Sequence, residues 1–400
     1  MASLTERSEQ KRYEKKKKRK ERTAKVLLIG TVLAVIGFVL FYVFFQMNRT
    51  YGNYAVINST KRTDSNSVKY ISYEGKILKY SKDGASAMKP DGEILWNGSY
   101  DVKNPIAVTC GEYVAIGDIG GKEIYVFNGS DTGTKLSVEY PIEQIAVSNQ
   151  GVVAAVLEND DEASINIYDP YSVTEQLKVS VSTSTDSDGY PVAIALSPDG
   201  LKLVTSYINI SNGVLQSSVN FYNFDEVGQS SVDRIVGSRP MDKELVANID
   251  FINSSVVCAY TEDGFKLYRM EETPQDIAEI KVDGNIKSVC HNNKYLGLVF
   301  ENSEDMNKPY TMQIYDTNGQ VVLEKAVDYN YDKVEMGQDE MIFYSGDSCN
   351  IVRTRGSEKL DCTFENEISA FFSVESSDNY VLIDGENINE IHLTGRKKGE

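Results

Sequence analysis

The sequence predicts an all-β protein, a β-propeller of about eight four-stranded blades, preceded by one transmembrane helix. Short runs of β-branched and aromatic residues alternate with D-G, N-G and G-G turns along the body of the chain. A loose repeat returns at spacings of 35 to 56 residues, close to the length of about 40–50 residues that is typical of a propeller blade. An uncharged apolar stretch of 22 residues lies near the start.

The first 25 residues are strongly basic, with 11 Lys and Arg against four Glu. Residues 26–400 are acidic, with 30 Lys and Arg against 55 Asp and Glu, a net charge of −25. Because binding to phosphate backbones depends on clustered positive charge, no nucleic-acid partner is expected for this body. Residues 1–25 are interpreted as a cytoplasmic tail by the positive-inside rule. The expected topology determinants are six consecutive cations, Lys15, Lys16, Lys17, Lys18, Arg19 and Lys20.

Residues 26–47 are interpreted as a transmembrane signal anchor. A helix of 22 residues is long enough to cross a hydrocarbon core of about 30 Å. The stretch exceeds the apolar core of about 7–15 residues in a cleaved signal peptide, and no A-x-A site follows it. The chain is therefore expected in the cytoplasmic membrane as a single-pass protein that contacts lipid through the anchor. Its N-terminus would be cytoplasmic and its C-terminal domain extracytoplasmic.

Residues 48–67 are predicted to be a linker, and residues 68–400 the exported propeller. Eight units are recognised, each with a short apolar strand, a turn, a very apolar strand and a hairpin. They begin near Val68, Pro105, Ile142, Pro191, Ala247, Ile286, Lys333 and Ile368. The last unit supplies three strands, so residues 54–58 ("YAVIN") are a candidate fourth strand that closes the ring. Seven blades or a pair of β-sandwiches are the alternatives, but no linker divides the body.

The units resemble the degenerate repeats of the quinoprotein-type propeller superfamily, through "IYVFNGSDTGTKL", "MQIYDTNGQVVLE" and "DGEILW". The segment "LSPDGLKLVTS" is similar to a WD40 or TolB-like blade. The layout of basic tail, anchor and exported propeller resembles an uncharacterised family of Gram-positive bacteria, domain of unknown function 5711. Quinoproteins have recurrent tryptophans that dock the blades, whereas this chain has only Trp96. The resemblance therefore implies a fold and a topology, and quinone binding is not carried over.

The sequence contains no recognisable catalytic, cofactor or metal motif. Its two histidines, His291 and His392, are not at the spacing of metal ligands and are interpreted as structural. No Walker A, G-x-S-x-G or H-E-x-x-H motif is present. We therefore expect a protein that is not an enzyme and needs no cofactor.

The segment "CNIVRTRGSEKLDC" suggests a disulfide bond between Cys349 and Cys362. If Arg355 and Gly356 form a two-residue hairpin turn, Thr354 pairs with Ser357, and the two cysteines lie directly opposite each other. An exported protein can form such a bond, although strict geometry is required. The alternative is a pair of half-buried thiols.

The expected function is that of a binding scaffold or sensor in the cell envelope, with a protein or polymer as partner. Binding residues favour loops on rigid scaffolds, and the third and fourth units carry long inserts that are either contact loops or plain hairpins. The candidate contact residues are Asp186, Asp188, Tyr190, Asn209 and Asn212. The alternative function is a hydrolase or quinone-type oxidoreductase with its site in the central channel.

Overall fold

The computed structural model describes residues 2–65, 67–129, 132–159, 162–184, 189–211, 213–241, 244–374 and 378–395. The chain divides into two compact units, Met1–Thr50 and Tyr51–Glu400. The first unit is a helix and the second is built from β-strands.

Helix α1 spans Ala2–Met47 and includes both the basic tail and the apolar stretch. In the described part of the chain it is the one helix long and apolar enough to cross a membrane, by length and composition. Large apolar side chains are exposed all round the helix from Val26 to Phe45. Such an all-round apolar surface is typical of a helix that requires an apolar environment.

The first strand, β1, spans Asn53–Lys61, and the next sixteen strands form blades 1 to 4. Their bounds are β2 Lys69–Tyr73, β3 Lys76–Tyr80, β4 Gly84–Met88 and β5 Ile94–Ser99 in blade 1; β6 Pro105–Cys110, β7 Tyr113–Asp118, β8 Glu123–Phe127 and β9 Thr134–Ser137 in blade 2; β10 Ile142–Val147, β11 Val153–Asn159, β12 Glu162–Tyr168 and β13 Leu177–Ser184 in blade 3; and β14 Tyr190–Leu196, β15 Lys202–Ser211, β16 Val214–Asn223 and β17 Ile235–Met241 in blade 4. A short helix, α2 (Glu226–Gln229), and a 3-10 turn (Val232–Arg234) join β16 to β17.

The remaining strands form blades 5 to 8. Their bounds are β18 Val246–Phe251, β19 Val256–Thr261, β20 Gly264–Met270 and β21 Pro274–Lys281 in blade 5; β22 Ile286–His291, β23 Tyr295–Glu301, β24 Tyr310–Asp316 and β25 Val321–Val327 in blade 6; β26 Lys333–Met336, β27 Glu340–Ser345, β28 Ser348–Arg353 and β29 Glu358–Thr363 in blade 7; and β30 Ala370–Ser373, β31 Asn379–Ile383 and β32 Asn387–Thr394 in blade 8.

The described residues form eight antiparallel four-stranded sheets, which confirms the predicted propeller with eight blades rather than seven. In blades 1 to 7 the strands are adjacent in chain order. The first strands of neighbouring blades contact each other, for example β10 with β14 and β22 with β26. They are therefore the innermost strands, which surround the central channel. The predicted unit starts lie within two residues of these innermost strands; for example, Pro105 begins β6 and Lys333 begins β26.

Strand β1 supplies the fourth strand of blade 8, whose order is β1-β32-β31-β30. The pairing runs from Asn53 opposite Thr394 to Lys61 opposite Asn387, with a bulge near Ile57. The ring of Tyr54 packs on Phe364 of the neighbouring blade at 4.8 Å between centroids. The two ends of the ring are therefore joined inside one sheet.

Bulges recur at equivalent positions. In blades 3 to 6 a bulge follows the first residue or two of the innermost strand. Another lies between the third and fourth strands of blades 1 and 3 to 7. Bulges increase the right-handed twist of a strand pair, so blades 3 to 6 are each locally twisted at the same two points.

The hydrophobic core lies between blades rather than within them. Between blades 1 and 2, Trp96 is 3% exposed and stacks on Phe127 with 4.8 Å between ring centroids. Between blades 5 and 6, Phe265 meets Tyr315 edge to face at 5.0 Å. Each blade has two apolar faces, so a blade is stable only when both neighbours are present.

A buried ion pair in blade 7 is hydrogen-bonded to blade 8. The Nζ of Lys359 is 2.8 Å from Oε2 of Glu340, and both side chains are less than 10% exposed. The hydroxyl of Tyr380 donates to the other oxygen of Glu340. The hydroxyl of Tyr51 donates to Asp378 at 3.0 Å, and Lys359 is 3.6 Å from the same carboxylate. This network connects the residue that precedes β1 to the last two blades.

Candidate functional site

The antiparallel order gives the ring two different faces. We define the upper face as the one at which the first strand of every blade begins, and the lower face as the opposite one. The loops between the second and third strands, and those between successive blades, therefore lie on the upper face. Both inserts that the sequence predicts as contact loops lie on this face.

Two of the predicted contact residues are described, and they lie close together on the upper face. The hydroxyl of Tyr190, at the start of β14, donates to Glu158 at 3.2 Å, and burial raises the pKa of Tyr190 to about 12. Asn209 lies in β15. A side chain at Gly189, which has φ +90°, would lie 2.6 Å from the carbonyl oxygen of Ile208, so the two loops are in close contact. The other candidates lie outside the described residues: Asp186, Asp188 and Asn212.

The hairpin of β15 and β16 projects beyond blade 4. These strands pair as far as Ser211 opposite Val214, whereas their neighbours β14 and β17 stop pairing at Ile208 and Ser217. Among the described residues, no strand pairs with either edge of the hairpin between 209 and 216. We call the described residues of this segment, 209–211 and 213–216, the blade-4 hairpin.

The blade-4 hairpin exposes apolar side chains. Ile210 is 75% exposed, Val214 56% and Leu215 49%. Ile210 and Leu215 are directly opposite each other, so they form one apolar side of the hairpin. An unpaired edge with an apolar side is a typical template for pairing with another chain.

Three carboxyl groups on innermost strands have raised pKa values. Burial raises the pKa of Glu143 in β10, with a further contribution from the charge of Glu158. Burial also raises the pKa of Asp250 in β18, and His291 opposes this shift from 3.6 Å. Burial raises the pKa of Glu335 in β26 to about 7. Such perturbed carboxyls are typical of ligand sites and active sites as well as of buried structural pairs.

Sequence reasoning missed these three carboxyl groups. An acidic residue inside a short apolar strand that opens a unit, as in "KVEM" for Glu335 and "ANIDF" for Asp250, is the signal that could have identified them. In the described residues, no three His, Cys, Asp or Glu side chains are grouped as potential metal ligands.

Glu335→Gln is expected to make the protein more stable than the parent at pH 8 and about equally stable at pH 4. The folded-state pKa of Glu335, about 7, lies above the ordinary value of 4.5. Its stabilising contribution is therefore fully present below the unfolded pKa and is lost as the pH rises through 7. The expected difference at pH 8 is about 1–3 kcal/mol, measured by urea unfolding. Glu304→Gln, in an exposed loop, is the control; an equal pH-dependent gain there would contradict the prediction.

Cys349 and Cys362 lie opposite each other in β28 and β29. The predicted two-residue turn is wrong: the turn contains three residues, with the N–H of Arg353 donating to the carbonyl of Ser357 at 3.0 Å. A bulge at Lys359 restores the register, so the cysteines still face each other. The structure shows Cys349 and Cys362 without a bond between them, although their opposite positions are compatible with one. Burial raises the pKa of Cys362 to about 11, and the disulfide stays a prediction.

Comparison with known families shows to which family this chain is related. The model of a family of unknown function (DUF5711) matches residues 47–393. The chain belongs to this family. No curated protein matches the sequence.

Two solved structures show that this family member shares its fold with distant propellers. BamB from Moraxella catarrhalis is 9% identical, with a TM-score of 0.51 over 85% of this chain and 100% of that chain. A eukaryotic initiation factor is 14% identical, with a TM-score of 0.54 over 86% of this chain and 87% of that chain. At such identities the likeness concerns the fold alone.

Proposed function

We propose that this protein is a single-pass membrane protein whose extracytoplasmic ring is a non-catalytic binding scaffold or sensor in the cell envelope. The length and composition of α1 support a membrane span. The cations from Lys15 to Lys20 favour a cytoplasmic N-terminus. The partner is an envelope protein or polymer.

The observation that carries the scaffold proposal is the blade-4 hairpin. In the part of the chain that the structure describes, no strand pairs with its two edges, and it exposes Ile210, Val214 and Leu215 on the face that also carries Tyr190. Main-chain hydrogen bonds to such an edge provide affinity, and side-chain contacts provide specificity. A protein that adds a strand to the hairpin fits this surface better than a polyanionic polymer, which the acidic ring repels.

The scaffold proposal is tested by placing a photo-crosslinking amino acid at Ile210 in the full chain, in its native envelope. We expect a discrete adduct that disappears when Leu215→Asp is added. Val232, 83% exposed on the same blade but outside the hairpin, is the matched control position. Identical adducts at both positions, or none at Ile210, would contradict the proposal.

The orientation is tested by adding protease to intact cells. Digestion is expected to remove the ring and to spare an epitope fused before Lys15, because the basic flank keeps the N-terminus in the cytoplasm. Loss of the epitope with an intact ring would reverse the proposed topology.

The carboxyl groups with raised pKa values on the innermost strands favour a second candidate function, a hydrolase or quinone-type oxidoreductase. Glu335 has a pKa of about 7, and its carboxylate accepts a hydrogen bond from the hydroxyl of Tyr344 at 3.1 Å. A carboxyl with this pKa is suited to general acid–base catalysis at neutral pH. A turnover that Glu335→Gln abolishes without loss of folding would support this candidate. Equal turnover in both proteins would count against it.

A further inference from the structure

A cavity of about 450 Å³ opens at the inner end of blade 8, between blades 1 and 7. Its lining includes Arg62, Lys69, Tyr70, Tyr80, Lys333 and Glu367. Lys69 and Lys333 begin the innermost strands of the two flanking blades, so the cavity lies on the upper face. We call it the seam cavity, because Arg62 directly follows the ring-closing strand β1.

Two cations at the rim of the seam cavity are held by aromatic rings instead of carboxylates. The ammonium of Lys69 lies over the ring of Tyr80 at 5.8 Å, and that of Lys333 over the ring of Tyr344 at 5.7 Å. Lys333 also donates to the carbonyl of Ser369 at 3.3 Å. Among the described residues, no carboxylate is ion-paired with either ammonium, and the nearby Glu335 senses the charge of Lys333, which lowers the pKa of that carboxyl against the effect of burial. A cation–π contact orients a cation without neutralising it, so both charges can still attract an anion.

The floor of the seam cavity is rigid. Arg62 is 4% exposed at its side chain and donates to Asp64 through Nε at 3.0 Å and Nη2 at 2.8 Å. Asp64 also accepts from Tyr70 and from Lys79. Burial alone would raise the pKa of Asp64, but the hydrogen bonds from Lys79, Tyr70 and Arg62 together lower it. This network holds the ring of Tyr70 in place, with the guanidinium of Arg62 5.1 Å from its centroid.

The charge of the seam cavity is opposite to that of the ring. Of the three cations that line it, Arg62 is ion-paired with Asp64. Lys69 and Lys333 remain, against one lining carboxylate, Glu367. The chain from residue 26 onward carries −25, so an extended polyanion would be repelled by the surface around the cavity. A compact anion would lie inside the cavity and would not contact the acidic surface around it. The volume is within the range of about 300–1,000 Å³ that is usual for small-molecule sites.

We propose that the seam cavity binds a compact phosphomonoester. The phosphoryl group would lie between the ammonium groups of Lys69 and Lys333, since lysine binds phosphate as a point charge. The uncharged body of the ligand would pack against Tyr70, Tyr80 and Ile71. This site is independent of the scaffold function, because the blade-4 hairpin lies on the opposite side of the eight-bladed ring.

The test uses the full chain in detergent and phenyl phosphate as the probe, with benzoate and phenol as matched ligands in titration calorimetry. Phenyl phosphate is expected to bind at least about tenfold more tightly than either. The double variant Lys69→Met with Lys333→Met should bind phenyl phosphate at least about tenfold more weakly than the parent and should bind phenol with unchanged affinity. Lys69→Arg with Lys333→Arg keeps both charges and should retain binding. Lys294→Met with Lys308→Met, at two exposed lysines outside the cavity, is the control.

Four results would overturn the proposal. Equal affinity for phenyl phosphate and phenol would mean that the two lysines do not contribute to binding. Equal affinity for phenyl phosphate and benzoate would assign the cavity to carboxylates. An unchanged affinity in the double methionine variant, or no binding of phenyl phosphate at about 10 mM, would exclude the seam cavity as a phosphate site.

Discussion

Replacing Lys359 with methionine is expected to lower the free energy of unfolding by about 3–5 kcal/mol. The substitution keeps most of the side-chain volume but leaves Glu340 as a buried carboxylate without its cation, since Lys359 Nζ is 2.8 Å from Oε2 of Glu340. The cost is the desolvation of Glu340, which the hydrogen bond from Tyr380 offsets only in part. Urea unfolding followed by circular dichroism measures the loss.

The control for this prediction is a double-mutant cycle. Glu340→Gln combined with Lys359→Met removes both charges and should recover much of the stability, because replacing a buried pair with neutral groups is often tolerated. The exposed pair of Lys89 and Glu93, 2.6 Å apart, is the matched comparison. Lys89→Met should lower the free energy of unfolding by less than about 1 kcal/mol. If Lys359→Met costs no more than Lys89→Met, the buried network does not stabilise ring closure.

Trp96→Ala is expected to destabilise the ring by about 3–5 kcal/mol, because it opens a cavity between blades 1 and 2. The indole is 3% exposed and stacks on Phe127 with an angle of 12° between the rings. It also meets the edge of Tyr73 at 6.5 Å between centroids. Loss of these aromatic contacts adds to the loss of buried area. Trp96 is the only tryptophan, so circular dichroism rather than indole fluorescence follows the unfolding of this variant.

Trp96→Phe should retain part of the stacking and lose less stability than Trp96→Ala. Val232→Ala changes an apolar side chain that is 83% exposed. Its free energy of unfolding should lie within about 0.5 kcal/mol of that of the parent. The proposed role of Trp96 in docking the two blades would be refuted by equal unfolding midpoints for Trp96→Ala and Val232→Ala.

The blade repeat could be predicted from the sequence because its signals are local. Alternation of apolar residues and a D-G or N-G turn are visible within about ten residues, and so Pro105, Ile142, Ile286 and Lys333 were identified as unit starts that coincide with strand starts. The prediction for the turn between β28 and β29 is wrong because the length of this turn depends on a contact between residues that are distant in sequence. Whether it takes two or three residues depends on the bulge at Lys359, and that lysine is placed by a carboxylate 19 positions away.

The candidate sites also depend partly on local sequence signals and partly on contacts between distant segments. The insert that contains Asn209 could be recognised from its length, but its unpaired edges follow from where β14 and β17 stop pairing. The rise in the pKa of Glu335 follows from burial, which the repeat pattern does not report. The seam cavity brings Arg62, Lys69 and Lys333 together across more than 260 positions of the chain.

By itself, the sequence determined the apolar helix, the succession of four-stranded units and the need for a strand to complete the last one. These properties follow from hydrophobic periodicity and from turn residues that act over short distances. Only the tertiary structure decided which charges are buried together, which strand edges remain open and where a cavity forms. Those properties depend on segments that are distant in sequence and meet only when β1 joins β32 and the ring closes.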